Sequence, residues 1–233
     1  MARLNRSIVV LVAVASAEAA SIQYGTIPKS AIEERLRAAP GTNASREQKL
    51  REMFEKDGCA GPQLEEQPVR RAKAPNVICA PAGQSGQRIV IGGHFDFVDT
   101  GQGVVDNWTG SSMLPSLFLS LKTVPRRHTF LFIGFTDEEK GMVGSQYYVH
   151  SLGKTGLSQI SAMVNLDSLG TNPTKLERDR GDKRLVNALA AVAATFQLPL
   201  NVVNVHAVGR SDSDSFQDRK IPTINIHSRT QET

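Results

Sequence analysis

The sequence predicts an α/β sandwich with a largely parallel central sheet. Three observations carry that expectation. Residues 88–92, 129–135 and 160–166 form short, mainly apolar runs of the kind buried on both faces of a parallel sheet. Segments with helical periodicity alternate with these runs. Each run leads into acidic residues, one of them with a histidine, at the end where open α/β sheets bind ligands.

The elements follow in order. Arg3 and Arg6, the apolar run 8–14 and the small residues Ala15-Ser16-Ala17 and Ala17-Glu18-Ala19 make residues 1–19 resemble a secretory signal peptide. The run is too short to span a bilayer; a buried first strand or helix is the alternative. Residues 20–74 form a helical lead-in. Residues 32–37 and 45–56 have the helical pattern, the second with Ser45 as N-cap, Gln48 three positions on and Gly58 as the stop. Residues 62–74 are polar and contain Pro, consistent with an irregular strand plus a loop. Residues 75–233 form the main domain. A strand at 76–80 and a turn at 81–86 precede the strand at 88–92. Helices follow at 111–121 (with Pro115 in the first turns), 144–152 and 182–196, and further strands at 200–205 and 222–226. The chain has no internal repeat and no Gly- or Ser-rich linker.

Composition excludes several classes. An apolar share of 40% and a formal charge of +4, from 27 Lys and Arg against 23 Asp and Glu, exclude a disordered chain. Two cysteines exclude a disulfide-dense mini-protein. Basic residues are scattered apart from Arg70-Arg71 and Arg126-Arg127, so no nucleic-acid stripe is present. Export would permit a Cys59–Cys79 disulfide, with two buried thiols as the alternative.

The chemistry lies at the strand ends. Residues 88–92 run into Gly93-His94-Phe95-Asp96, residues 129–135 into Thr136-Asp137-Glu138-Glu139, and residues 160–166 into Asp167. His94 and Asp96 are two apart on extended backbone and point to one side. That spacing suits a carboxylate that sets the tautomer of a metal-ligating imidazole. Asp106 opens a polar turn before a helix, either as its N-cap or as a further member of the cluster. Glu138 and Glu139 repel each other unless a cation is present. A divalent metal would take one and leave the other as general base toward a metal-bound water. Asp167 adds another carboxylate. One His with several carboxylates suits zinc, and two ions sharing one carboxylate would use all of them.

In this order and spacing the residues resemble peptidase family M28, which contains co-catalytic di-zinc aminopeptidases. The likeness rests on Gly92-Gly93-His94-Phe95-Asp96, Asp106 to Gly110, the Glu138-Glu139 pair with Gly141, Gly144 and Ser145, and Val164 to Asp167; it spans residues 76–226. Ser211 to Phe216, ahead of Ile221-Pro222, looks like the family's Ser-Asp-His-x-x-Phe segment, with Ser213 where His is common. The resemblance implies a three-layer α/β/α sandwich with a mostly parallel central sheet, two Zn2+ ions and a peptide or protein substrate with a free amino terminus. It implies that His94 and Asp167 bind one zinc, that Asp106 bridges both and that Glu139 binds the second. Glu138 would be the general base and Asp96 the partner of His94. The protein would be an exported aminopeptidase, secreted or periplasmic, without a membrane span in its mature form. A single-zinc cyclase acting on amino-terminal glutamine and a non-catalytic M28-like binding domain are the rivals.

The family's last ligand is a late His in a His-Ser/Thr-x-x-Asp setting. His206 precedes the Ser-Asp segment and is out of order. His227 follows the last strand, with Ser228 after it but Thr230 in place of the acid. It reads as a strand-end residue or as the last ligand, and the expectation is a chain truncated at its carboxyl end. Asn43 and Asn107 head glycosylation triplets, although a glycan on Asn107 would crowd the site. Tyr147-Tyr148 read as helix packing, and Trp108 as pocket wall or packed aromatic.

Overall fold

In this computed structural model, residues 27–204 and 209–229 are described. The segment 1–19 and His206 lie outside them. Two helices lead, α1 (Lys29–Arg37) and α2 (Asn43–Asp57). The cap of α2 is Thr42, not Ser45: Thr42 Oγ1 accepts the Ser45 N–H (3.1 Å) and Ser45 Oγ accepts the Thr42 N–H (3.2 Å). Ser45 is therefore the reciprocal partner in a capping box one turn earlier than expected. Gly58 closes the helix at φ 94°, a left-handed stop that glycine adopts without strain.

The remaining elements are β1 (Leu64–Gln67), β2 (Asn76–Cys79), β3 (Arg88–His94), α3 (Thr109–Leu121), β4 (Thr129–Phe135), α4 (Val143–Ser151), α5 (Gly153–Ser158), β5 (Ile160–Asp167), β6 (Thr174–Glu177), α6 (Lys183–Thr195), β7 (Leu200–Val203), α7 (Asp212–Gln217) and β8 (Thr223–His227). Helix α3 starts at Thr109, so Pro115 lies mid-helix rather than in the first turns. The polar stretch Thr109 to Ser112 hides that start. Elements α5, β6 and α7 were not expected; each is four to six residues long and lacks a periodic apolar face. Asp182 caps α6 by accepting the Arg184 and Leu185 N–H groups.

The eight strands form one sheet in the order β1-β2-β4-β3-β5-β8-β6-β7. Strands β4, β3, β5 and β8 run parallel side by side. Antiparallel pairs flank them, with β2 on β4 and β6 on β8. Alternation along the strands sends side chains to two faces. Ile91 and Phe132 join Leu50, Phe54, Trp108 and Phe118 beneath α2 and α3. Val90, Leu131 and Ile133 join Tyr148, Val149 and Phe216 beneath α4 and α7. Helices thus cover both faces, giving three layers. Tyr148 is buried between Phe135 and Phe216, which makes it helix packing. Trp108 is a packed aromatic, fully buried, with Nε1 donating to the Arg35 carbonyl (2.9 Å).

Cys59 and Cys79 are disulfide-bonded, tying the end of α2 to β2. The lead-in helices share one apolar cluster with the sheet. Among the described residues no helix is long and apolar enough to cross a membrane.

Candidate metal centre

The site follows from strand order. Because β4, β3, β5 and β8 are adjacent and parallel, their carboxyl ends meet at one edge. In register, His94 lies beside Phe135, and Asp167 beside His227. The loops leaving these strands bring Asp96, Asp106, Glu138 and Glu139 to the same edge.

His94 is buried and its two nitrogens face different groups. Nδ1 lies 3.2 Å from the Asp96 carbonyl oxygen and 3.5 Å from Asp96 Oδ1. Nε2 lies 3.2 Å from Asp106 Oδ1, 3.8 Å from Glu138 Oε2 and 3.9 Å from Asp167 Oδ1. A proton on Nδ1 facing Asp96 leaves the Nε2 lone pair turned into the cluster. Asp96 also sets the glutamate pair: its Oδ1 and Oδ2 accept the Glu138 and Glu139 N–H groups at 3.0 and 3.2 Å.

Asp106 stands on the turn Val104–Trp108, with its backbone outside helical geometry and its peptide bond to Asn107 cis. It caps no helix; its half-exposed carboxylate faces the cluster instead. Asn107 fastens this turn to β5. Its Nδ2 donates to the Leu166 carbonyl (2.9 Å), and its Oδ1 accepts the Gly110 and Ser168 N–H groups (2.9 and 3.1 Å). Gly110 is required by this close approach: a Cβ would sit 2.3 Å from the Leu166 oxygen. Asn107 is fully buried, so a glycan has no room there.

The electrostatics are those of carboxylates crowded in a dry place. Burial, with the charges of Asp212, Asp167 and Glu139 added, pushes Glu138 up to about 8 despite the opposing His94. Burial and Asp106 also raise Glu139. Burial disfavours charge on His94, but Asp106, Asp167 and Asp96 outweigh it and hold the imidazole well above its ordinary value. Burial would raise Asp96 and Asp167 too. For Asp96 the His94 ring and the two amides win, and for Asp167 His94 and Arg229 win, so both lie below the ordinary range.

One ligand atom each from His94, Asp106 and Glu139 lie within 4.8 Å of one another. An imidazole and two carboxylates are donors that zinc accepts, and the upward-shifted glutamates mark negative charge that a cation would balance. The residues present therefore fit a zinc ion. Asp167 lies close to His94 but outside that trio. His227 is buried at the same edge; its Nδ1 accepts the Arg229 N–H (3.2 Å), and its Nε2 meets no partner among the described residues.

Three residues at the site escaped sequence reasoning. Asp212, the first residue of α7, is fully buried; neither of its oxygens meets a hydrogen-bond donor in good geometry among the described residues. Burial, with Asp96 and Asp167 nearby, pushes it up to about 7 against His94 and the polar Ser145. The Ser-Asp segment signalled it, but without a role. The start of α7 is fixed by Asp214, which accepts the Ser211 N–H (2.7 Å) and two bonds from Arg180 Nη2 (2.6 and 2.7 Å). Arg229 reaches Asp167 at 2.6 Å and Asp106 at 3.8 Å, and no local pattern announces it. Asn107 shows in the sequence as a member of the Asp106 to Gly110 motif and as the head of a glycosylation triplet, neither of which gives a sign of its role in fastening the turn.

A helix-covered, mostly parallel sheet with a histidine and carboxylates at its strand ends defines an α/β protein of the zinc-aminopeptidase fold with a candidate metal centre. The same architecture occurs in the Legionella pneumophila LapA aminopeptidase, with a TM-score of 0.72 over 87% of this chain and 60% of that one at 23% identity. It also occurs in BSAP, a zinc aminopeptidase from Bacillus subtilis, with a TM-score of 0.62 over 69% of this chain and 41% of that one at 25% identity. In sequence the chain is similar to leupeptin-inactivating enzyme 1 of Streptomyces exfoliatus, 29% identical over 152 residues. The chain belongs to peptidase family M28, whose profile matches residues 76–233. The leupeptin-inactivating enzyme match covers 64% of this chain and 34% of that protein, so the chain spans about a third of its relative's length.

Proposed function

We propose that this protein is an exported, zinc-dependent aminopeptidase, with His94, Asp106, Glu139 and Asp167 around the metal position and Glu138 as general base. The observation that carries the reading is the placement of Glu138. Its Oε2 is 3.8 Å from His94 Nε2 and outside the donor trio, whereas Asp167, also outside it, is paired with Arg229 at 2.6 Å. A carboxylate beside the ligands but not among them is free to move a proton. Zinc held there would supply Lewis acidity toward the scissile carbonyl and acidify a water molecule.

The chain's own groups do the rest. Glu138 Oε2 takes a proton from the attacking water and passes it to the nitrogen of the leaving amine. Burial and the neighbouring carboxylates raise Glu138 to about 8 in the metal-free protein, and the positive charge of a bound zinc would favour the ionised form that a base needs. Asp96 holds the backbone amides of Glu138 and Glu139 and keeps the His94 ring oriented. The substrate's free amino terminus is a cation, and the surplus of carboxylates at this edge is what would read it. Aminopeptidase names among the relatives, and a zinc aminopeptidase among the structural neighbours, support the same assignment.

The test combines zinc content by elemental analysis with hydrolysis of leucine anilide. Glu138→Gln should lower kcat by roughly 100-fold or more while zinc content stays unchanged. A folded protein that takes up no zinc would end this reading.

A further inference from the structure

Six carboxylates, from Asp96, Asp106, Glu138, Glu139, Asp167 and Asp212, converge on this edge, and not all of them are left for metal. Asp167 Oδ1 is 3.9 Å from His94 Nε2 but only 2.6 Å from Arg229 Nη2. Arg229 Nε donates to Ser168 Oγ (3.1 Å), and Ser168 Oγ donates in turn to Asp167 Oδ1 (3.1 Å). The same guanidinium lies 3.8 Å from Asp106 Oδ2. It therefore spans two of the carboxylates that the family resemblance assigns as metal ligands.

This placement is not that of a wandering surface arginine. The segment carrying Arg229 is stitched to the loop after β5. Ser228 N–H donates to the Ser168 carbonyl (2.9 Å), Gly170 N–H to Ser228 Oγ (3.1 Å), and Thr171 Oγ1–H to the Ser228 carbonyl (2.9 Å). Lys175 Nζ donates to the Arg229 carbonyl. With the backbone held at several points, less side-chain entropy remains to be lost in pairing the guanidinium.

The backbone of the same residue occupies the late histidine. His227 Nδ1 accepts the Arg229 N–H at 3.2 Å, so the neutral ring carries its proton on Nε2 and has no lone pair there to offer a metal. Arg229 thus engages Asp167 through its guanidinium and His227 through its amide.

We propose that Arg229 is a built-in second cation of this centre, occupying Asp167 and approaching Asp106, so that the site takes one divalent ion. The inference rests on the reading of His94, Asp106 and Glu139 as metal ligands. The ion and the guanidinium each offset part of the cluster's negative charge. A second dication within a few ångströms of the guanidinium meets like-charge repulsion in a poorly solvated place. It would also have to displace a bidentate-capable donor already at hydrogen-bond distance.

The experiment counts ions on the full chain. Protein stripped with chelator is titrated with Zn2+ and dialysed, and zinc per chain is measured. A parallel sample is loaded with Co2+ and examined by electron paramagnetic resonance for spin coupling between adjacent ions. The wild type should hold one ion without coupling. Arg229→Gln should hold two with coupling, and Arg229→Lys, which keeps the charge, should hold one. Arg229→Met, which keeps the aliphatic stem, replaces the glutamine variant if circular dichroism shows that variant unfolded. Two ions in the wild type, or one in both neutral variants, overturns the proposal. A folded wild type that binds no ion overturns the ligand reading beneath it instead.

Discussion

Replacing Arg46 with methionine tests whether the lead-in helices hold the metal-bearing loop in place. Arg46 is fully buried on α2. Its Nε donates to the Pro40 carbonyl (3.0 Å), Nη1 to the Phe95 carbonyl (3.1 Å) and Nη2 to the Gln102 carbonyl (2.5 Å). The guanidinium also lies 4.1 Å from the Phe97 ring centroid. These contacts fasten the segment between His94 and Asp106 to a helix about 50 residues earlier. Burial lowers the Arg46 pKa to about 10 despite nearby Asp96, so the group stays charged at neutral pH. Methionine keeps the stem and removes every donor. Leaving the buried Phe95 carbonyl unpaired costs about 1–3 kcal/mol, and loss of the ring contact adds about 1–2 kcal/mol. Water can recover part of the other two carbonyls, so the expected loss is about 2–4 kcal/mol. In a domain of this size that lowers Tm by roughly 4–16 °C. Because Asp106 lies at the far end of the fastened segment, zinc affinity should fall about tenfold. Urea unfolding and zinc competition against a chromogenic chelator read the two effects. A stability loss under about 1 kcal/mol, or a destabilised variant with wild-type zinc affinity, would refute the reasoning.

Three further outcomes are expected. Cys59 and Cys79 close a loop with a sequence separation of 20, so removing both should cost about 3 kcal/mol; thiol titration of the native protein should find no free sulfhydryl. In metal-free protein Glu138 is raised to about 8 and Asp212 to about 7. Groups raised by folding stabilise most below their unfolded values and lose that contribution as pH climbs through the folded ones. His94, also raised, acts in the same direction. Chelator-treated protein should therefore lose roughly 2–4 kcal/mol between pH 5 and pH 8, and zinc should flatten the profile; a urea midpoint that rises with pH in chelator contradicts this. Gly110→Ala should unfold the Asp106 turn or lower zinc affinity at least about tenfold, because its Cβ would collide with the Leu166 oxygen; unchanged zinc binding would count against the close-approach argument.

Much of this was legible along the chain because the signals are local. Mainly apolar runs mark β3, β4 and β5, since a strand covered on both faces has no polar side to show. His94, Glu138, Glu139 and Asp167 were found because each closes such a run or follows it directly. The missed elements had no such signal. β6 alternates too briefly, α5 contains two glycines, and α7 is mostly Ser and Asp, with its form held by a capping box and by Arg180 some 30 residues away. The displaced cap of α2 is a smaller error of the same kind: Thr42 and Ser45 both suit a cap, and only the backbone path chooses between them.

The sequence by itself determined the alternation of strand and helix, the chemistry of the donor set and its order at the strand ends. Only the tertiary structure decided which of those donors face one another. Strand order sets β3 between β4 and β5 and sets β8 beside β5, which brings together Asp167 and His227 from two separate strands. It also decided that Arg229 reaches Asp167 and Asp106, that the buried Asp212 adds its charge near Glu138 and Asp96, and that Arg46 anchors the loop carrying Asp106. The reason is physical. Periodicity records which side of its own element a residue faces, whereas charge pairing and desolvation depend on neighbours supplied by other elements.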